Sequence, residues 1–156
     1  MFNHAPSGYA CPFCIVVSGG NNLPHTAQSD VVLRTGKETA LVSSRWWPNN
    51  PGHVLVVPDV HVENLYDLTP DVGYGVLDVT RRIARALKDV YGCSGVSTRQ
   101  HNEPAGNQSV WHYHVHVFPR YDADQLSERA SEHRMASPEE RTGYAESLRR
   151  FLNQTG

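Results

Sequence analysis

Trp111-His112-Tyr113-His114-Val115-His116-Val117-Phe118-Pro119 alternates histidine with large apolar side chains. A period of two is strand geometry, so His112, His114 and His116 are expected on one face of a sheet and Tyr113, Val115 and Val117 on the other. At about 3.3 Å of rise per residue, neighbouring imidazoles then stand roughly 6.5–7 Å apart. A histidine tag is contiguous and terminal, and a histidine satisfied inside a core normally stands alone. Three in register on an apolar strand point instead to metal binding or phosphate chemistry. An imidazole attacks phosphorus only when one ring nitrogen is unprotonated and aimed, which requires something to fix the other nitrogen. His114 is flanked on both sides and is the expected attacker, with its neighbours free to handle protons or orient phosphate oxygens. At a pKa of about 6.5 it is mostly neutral near pH 7 without any large shift. A metal held by the three histidines themselves is the weaker alternative, because adjacent same-face imidazoles need further ligands and no nearby carboxylate motif supplies them.

Just upstream, Pro104-Ala105-Gly106-Asn107-Gln108-Ser109-Val110 reads as a loop in which Gly106 permits close backbone approach. Its N–H groups and the Ser109 hydroxyl form a candidate phosphate cradle. Further out, residues 18 to 30, including Gly19-Gly20-Asn21-Asn22, read as a loop. Val31-Val32-Leu33 and Thr39-Ala40-Leu41-Val42 follow as strands turned at Gly36-Lys37. Trp46 to Gly52 is a rigid turn into His53-Val54-Leu55-Val56-Val57-Pro58, a buried strand ended by proline. Thr69-Pro70-Asp71 opens a helix with an N-cap hydroxyl, and Val72, Val76, Val79, Ile83, Leu87 and Val90 recur at helical spacing until Gly92. Arg81, Arg82, Arg85 and Lys88 lie opposite, as a solvated face. Gly95 to Gln100 is a weak strand. A last helix starts at Ser137-Pro138-Glu139-Glu140 with a capping box and buries Tyr144, Leu148 and Phe151 or Leu152. This order predicts an α+β domain. One domain over 1–156 is expected, with a core of about 11–121 and a helical extension of about 137–153.

The length, 156 residues, is enough to bury a core. A net charge of −2, from 14 basic and 16 acidic residues, offers no electrostatic case for nucleic acid, which is bound through clustered Lys and Arg. Any nucleotide bound should be a small molecule. No apolar run approaches a membrane span, and Met1 to Ser7 lacks the charged-then-apolar order of a secretion signal, so a cytoplasmic protein is expected. The three cysteines make no disulfide framework. Cys11-Pro12-Phe13-Cys14 has the spacing of a zinc knuckle; taken alone, it also suits a redox dithiol or two small buried residues. Cys93 reads as an ordinary buried cysteine, and His4, His25 and His133 as surface residues.

Three segments together resemble the histidine-triad family. Gln108 to Arg120 resembles its signature of alternating histidine, Pro51-Gly52-His53-Val54-Leu55-Val56-Val57-Pro58 with His61 resembles its second characteristic segment, and Cys11-Pro12-Phe13-Cys14 resembles the start of its bacterial members. The similarity runs from about residue 11 to Tyr121. It implies a nucleotide-binding fold, a mainly antiparallel sheet with a long helix packed on it and a C-terminal helix, usually homodimeric. Members act through a covalent nucleotidyl-histidine. Carried over by position, His114 is the nucleophile, His116 contacts the phosphate and helps the leaving group, His112 supports the middle histidine, and His53 stands behind the pocket. Ser109 and Gln108 match the phosphate loop. Histidine at 116, rather than glutamine, matches the hydrolase-like branches. The resemblance also implies that His61 and His112 complete a structural Cys2His2 zinc site with Cys11 and Cys14.

Two positions depart from the family pattern. Where many members hold the ribose hydroxyls with an acid, this chain has Arg45, which implies weak discrimination between ribo- and deoxyribonucleotides or contact with a second phosphate. Asn107 stands where glycine is common. Trp46 and Trp47 are candidates to stack on a base, with core or dimer packing as the alternative. Asn102 and His101 either reach the ligand or serve the turn. The expected activity is nucleotide phosphohydrolysis or nucleotidyl transfer through His114. The rival class is a non-catalytic nucleotide-binding or sensor protein with a structural zinc.

Overall fold

The computed structural model describes residues 2–21 and 23–155, so Asn22 of the expected loop lies outside the described residues. Among the described residues seven strands form: β1 (Val31–Arg34), β2 (Glu38–Val42), β3 (Arg45–Trp46), β4 (Val54–Pro58), β5 (Gly95–Gln100), β6 (Val115–Arg120) and β7 (Arg134–Met135). Five of them make an antiparallel sheet in the order β1-β2-β4-β6-β5, and β3 pairs with β7 apart from it. The helices are α1 (Pro12–Val17), α2 (Pro70–Tyr91) and α3 (Pro138–Thr155).

The apolar run of β4 is explained by burial on both faces. Val54 and Val56 join the core beneath α2, whereas Leu55 and Val57 pack with Phe13 and Val16 of α1. All five β4 residues are buried, including the proline that ends the strand. Continuous hydrophobicity here reflects a strand with two covered faces inside an antiparallel sheet.

Helix α2 buries Val76, Val79, Thr80, Ile83, Ala86 and Leu87, while Val72 and Val90 at its ends are only partly covered. Complete burial of an aliphatic side chain contributes about 1.5–3 kcal/mol, so the central turns hold α2 on the sheet and the ends add less. The expected N-cap hydroxyl bond is absent. Thr69 makes no side-chain cap, and its carbonyl accepts from Gly73 N–H at 2.9 Å. At the other end Gly92 adopts the left-handed conformation (φ 63°), and the Lys88 ammonium donates to the carbonyls of Cys93 and Ser94. The α3 capping box forms as expected: Ser137 N–H donates to the Glu140 carboxylate, and Glu140 N–H donates to the Ser137 hydroxyl. Helix α3 is then fixed by a buried ion pair, Arg141 Nε to Asp30 Oδ1 at 2.8 Å, and it buries Ala145, Leu148 and Leu152.

The histidine run departs from the expected strand. β6 begins only at Val115, and Tyr113 N–H donates outside the sheet, to the Val62 carbonyl at 2.6 Å. His112 and His114 therefore precede the ladder, and the three imidazoles do not form one row.

Candidate active site and metal centre

His112 is fully buried and turned away from its two fellow histidines. Its Nε2 lies 2.9 Å from the Pro58 carbonyl, which can only accept, so Nε2 carries the proton and Nδ1 keeps its lone pair. That lone pair faces Cys11 Sγ at 3.3 Å and Cys14 Sγ at 3.6 Å, and Cys14 Sγ lies 3.2 Å from His61 Nδ1. All four ligand atoms fall within 4.8 Å of one another. For Zn–S of about 2.3 Å and Zn–N of about 2.0–2.1 Å, a tetrahedron has S–N edges of roughly 3.6 Å, so this donor set fits zinc in size as well as chemistry. The Pro58 carbonyl supplies the outer bond that sets a ligating histidine's tautomer. Burial holds the His112 imidazolium down, to a pKa of about 4, and burial beside Cys11 pushes the Cys14 thiol up to about 11. A divalent cation would reverse the second effect, because a coordinating thiol is deprotonated outright.

His114 is held the other way round. Its Nδ1 lies 2.7 Å from the His112 backbone carbonyl, so Nδ1 is the protonated nitrogen and Nε2 is free. Phe13 and His116 meet the ring edge-on, with centroids at 5.2 Å and 5.0 Å. His116 Nδ1 is 3.3 Å from His53 Nε2, and the rings of His116, Phe118 and His53 stack nearly parallel. Burial depresses the basicity of all three histidines. The Arg99 and Arg45 charges push His53 further, to about 3, while His116 is lowered also by its neighbours His114, His53, His101 and Arg99. Near pH 7 the cluster is neutral, which suits nucleophilic attack.

Above these rings opens a cavity of about 780 Å³. Phe13, Leu41 and Leu55 give it apolar walls, and Asn107 and Ser109 bring the predicted phosphate loop to its edge. Asn107 takes the left-handed conformation (φ 66°), which asparagine tolerates, and His101 Nδ1–H donates to the Gly106 carbonyl at 2.7 Å. Of the residues expected from sequence, His53, His114, His116, Ser109 and Arg45 line the cavity together. His112 does not, and its side chain belongs to the cysteine cluster.

Gln108 is buried behind the loop, accepting from Glu103 N–H and donating to the Glu63 and Val110 carbonyls. Asn102 accepts from Leu65 N–H and pairs with Gln100. Both shape the loop from outside the cavity. Trp46 is a correction: it is 2% exposed, donates from Nε1 to the Ser43 carbonyl and packs on Tyr144. Its neighbour Trp47 lines the cavity instead, with Nε1 donating to the Ala130 carbonyl. His25 and His133, expected as surface residues, are exposed but also line the cavity, as does Met135. No spacing signals His133 or Met135, because the 130–135 segment reaches the site only through the β3–β7 pairing. Cys93 is buried, as expected.

The HIT domain family matches the chain over residues 25–123. Protein hit of Bacillus subtilis is 40% identical over 70 residues, 45% of this chain and 48% of that protein. An asymmetrical bis(5'-nucleosyl)-tetraphosphatase of Schizosaccharomyces pombe is 34% identical over 96 residues, 62% of this chain and 52% of that protein. The match thus spans about half the length of each of these two relatives. Among solved structures, a zinc-bound histidine triad family protein from Mycobacterium smegmatis superposes with a TM-score of 0.75 at 31% identity, covering 94% of this chain and 95% of the other. With the histidine run, the five-stranded sheet and the Cys2His2 cluster already in place, these matches show that the chain belongs to the histidine triad (HIT) family.

Proposed function

We propose that the protein is a nucleotide phosphohydrolase or nucleotidyl transferase in which His114 forms a covalent nucleotidyl-histidine. The observation that carries this is the hydrogen bond from His114 Nδ1–H to the His112 carbonyl, which leaves Nε2 as the free nitrogen of a neutral, buried imidazole beside the cavity. Nε2 attacks the α-phosphorus, the bond from phosphorus to the leaving group breaks, and the departing atom needs a proton. His116, protonated from solvent once the anionic substrate sits beside it, is the donor. Its Nδ1 is paired with His53 Nε2 at 3.3 Å, so the proton given up is the one on Nε2. Ser109 and the backbone of the 104–109 loop hold the non-bridging oxygens. Water, or a second phosphate in a transferase, then attacks the same phosphorus, gives up its proton to His116 and restores His114. Membership of the HIT family, with a tetraphosphatase among its relatives, supports the reaction class.

We further propose one structural zinc per chain on Cys11, Cys14, His61 and His112, where it ties the N-terminal segment to the chain just before β6. The unpaired edge of β5 and the exposed Tyr74 and Leu77 on α2 support a homodimer, which light scattering of the purified protein would test. Turnover is tested with nucleoside phosphoramidates, nucleoside monophosphate esters and dinucleoside polyphosphates, comparing wild type with His114→Ala. Cleavage of at least one class by wild type and none by the variant is expected. Binding without cleavage in every class would leave a nucleotide-binding protein rather than an enzyme.

A further inference from the structure

The chain is acidic overall, with 16 acidic against 14 basic side chains, but its cavity has the opposite character. Among the described residues no aspartate or glutamate lines it, whereas Arg45 and six histidines do. Arg45 is exposed on the wall formed by β3 and β7, opposite Met135 in the ladder and two residues from Trp47. Its backbone N–H donates to the Ser43 hydroxyl at 3.2 Å, but its guanidinium makes no hydrogen bond or ion pair among the described residues. Arg120, Arg129, Arg134 and Arg141 hold carboxylates, whereas Arg45 combines a guanidinium without such a partner with a place on the cavity wall. Arg99 lacks a carboxylate too. It lies over the Phe118 ring at 5.1 Å, directly across the ladder from His116, and adds a second positive charge beside the histidines.

An arginine fork with no partner, on the wall of a carboxylate-free cavity, is built for a doubly charged oxyanion, because guanidinium and phosphate match in geometry and charge. The reacting phosphoryl group has its own place, at His114 Nε2 and the 104–109 loop. Arg45 lies on a different wall and is available to another group. The same contrast separates dinucleotide sites that use an acid for a ribose hydroxyl from those in which an arginine accepts a ribose phosphate.

We propose that Arg45 forms a second anion subsite, so that the preferred substrates carry another phosphoryl group besides the one attacked by His114. The inference rests on His114 as the reacting residue for the identity of the first site, but its test needs no turnover. The second phosphoryl group can sit on the sugar or further along the phosphate chain. Calorimetric titrations with adenosine 5′-phosphate, adenosine 5′-triphosphate and the adenosine 2′,5′- and 3′,5′-bisphosphates distinguish the two, using the His114→Ala protein so that nothing is consumed.

At least one of the three probes with more than one phosphoryl group is expected to bind tenfold or more tightly than adenosine 5′-phosphate. A preference confined to the bisphosphates places the group on the sugar, and one confined to the triphosphate places it on the chain. In Arg45→Ala and Arg45→Gln that preference is expected to shrink below threefold, while affinity for adenosine 5′-phosphate changes less than threefold. Equal affinities in the parent protein, a preference that survives both substitutions, or no binding of any probe would each overturn the proposal. If His114 proved not to be the nucleophile, wild type would still show the Arg45-dependent ratio, so the two ideas fail separately.

Discussion

His112 and His114 stand two residues apart, and each ring is tied down by a backbone carbonyl, but through opposite nitrogens. In His112 the tied nitrogen is Nε2, held by Pro58, and Nδ1 turns to two thiols and a second imidazole. In His114 it is Nδ1, held by the carbonyl of His112 itself, and Nε2 is left beside the cavity. Residue type does not separate the proposed metal ligand from the proposed nucleophile. One hydrogen bond per ring decides which lone pair is offered and to which region of the molecule.

The contrast predicts effects of different kinds on the two sides. On the cavity side, His114→Ala should lower kcat by a factor on the order of 10⁴–10⁶, as expected when a nucleophile is removed, with nucleotide affinity changed only a few fold. Single-turnover kinetics beside a binding titration check this. A kcat within tenfold of wild type would erase the distinction between the two histidines.

On the cluster side the loss should fall on stability. His112→Ala and Cys11→Ser should each abolish bound zinc, measured by elemental analysis, and lower the melting temperature by about 10 °C. That figure corresponds to several kcal/mol at roughly 2–4 °C per kcal/mol. Because the His112 carbonyl survives its own side chain's removal, kcat of the folded His112→Ala protein at low temperature should stay within about tenfold of wild type, far from the loss expected at His114. A kcat collapse with zinc retained would assign the His112 ring to the chemistry.

The smallest effect concerns the rings behind the cavity. His53 is held to a pKa of about 3 in the folded protein by burial, Arg99, Arg45 and His114, and it regains an ordinary value near 6.5 on unfolding. Between those values the unfolded chain binds more protons. Stability conferred by neutral His53 is therefore complete above pH 6.5 and is lost as the pH falls toward 3, with a slope of at most about 1.4 kcal/mol per pH unit. His53→Gln should flatten the decline in urea midpoint between pH 7 and pH 5. An unchanged slope would show that His116 and the other buried histidines carry it alone.

Much of this organisation is legible in the amino-acid sequence. Hairpin, buried strand, long helix and capped C-terminal helix each announce themselves through period, proline or glycine, and the Cys-x-x-Cys pair and the histidine run mark both chemical regions. What periodicity does not reveal is where the ladder stops. The alternation continues through His112, but Tyr113 N–H bonds to Val62 rather than to a strand of the sheet, so the ring expected as a third member of a row faces the cysteines. Nor does a two-residue strand such as β3 carry a pattern of its own. Trp46 and Trp47 are adjacent and alike, and only pairing with β7, far along the chain, sends one into the core and the other to the cavity.

The central claim, that one histidine of the run reacts while its near neighbour only supports, is tested most directly by trapping the covalent intermediate. Wild-type protein mixed with a cleavable nucleotide, quenched within milliseconds and digested under mildly alkaline conditions, should yield one peptide heavier by a nucleotidyl group. Fragmentation is predicted to place that mass on His114, with His112 and His116 unmodified. An adduct on His112 or His116, or turnover with no adduct at any quench time, would contradict the account.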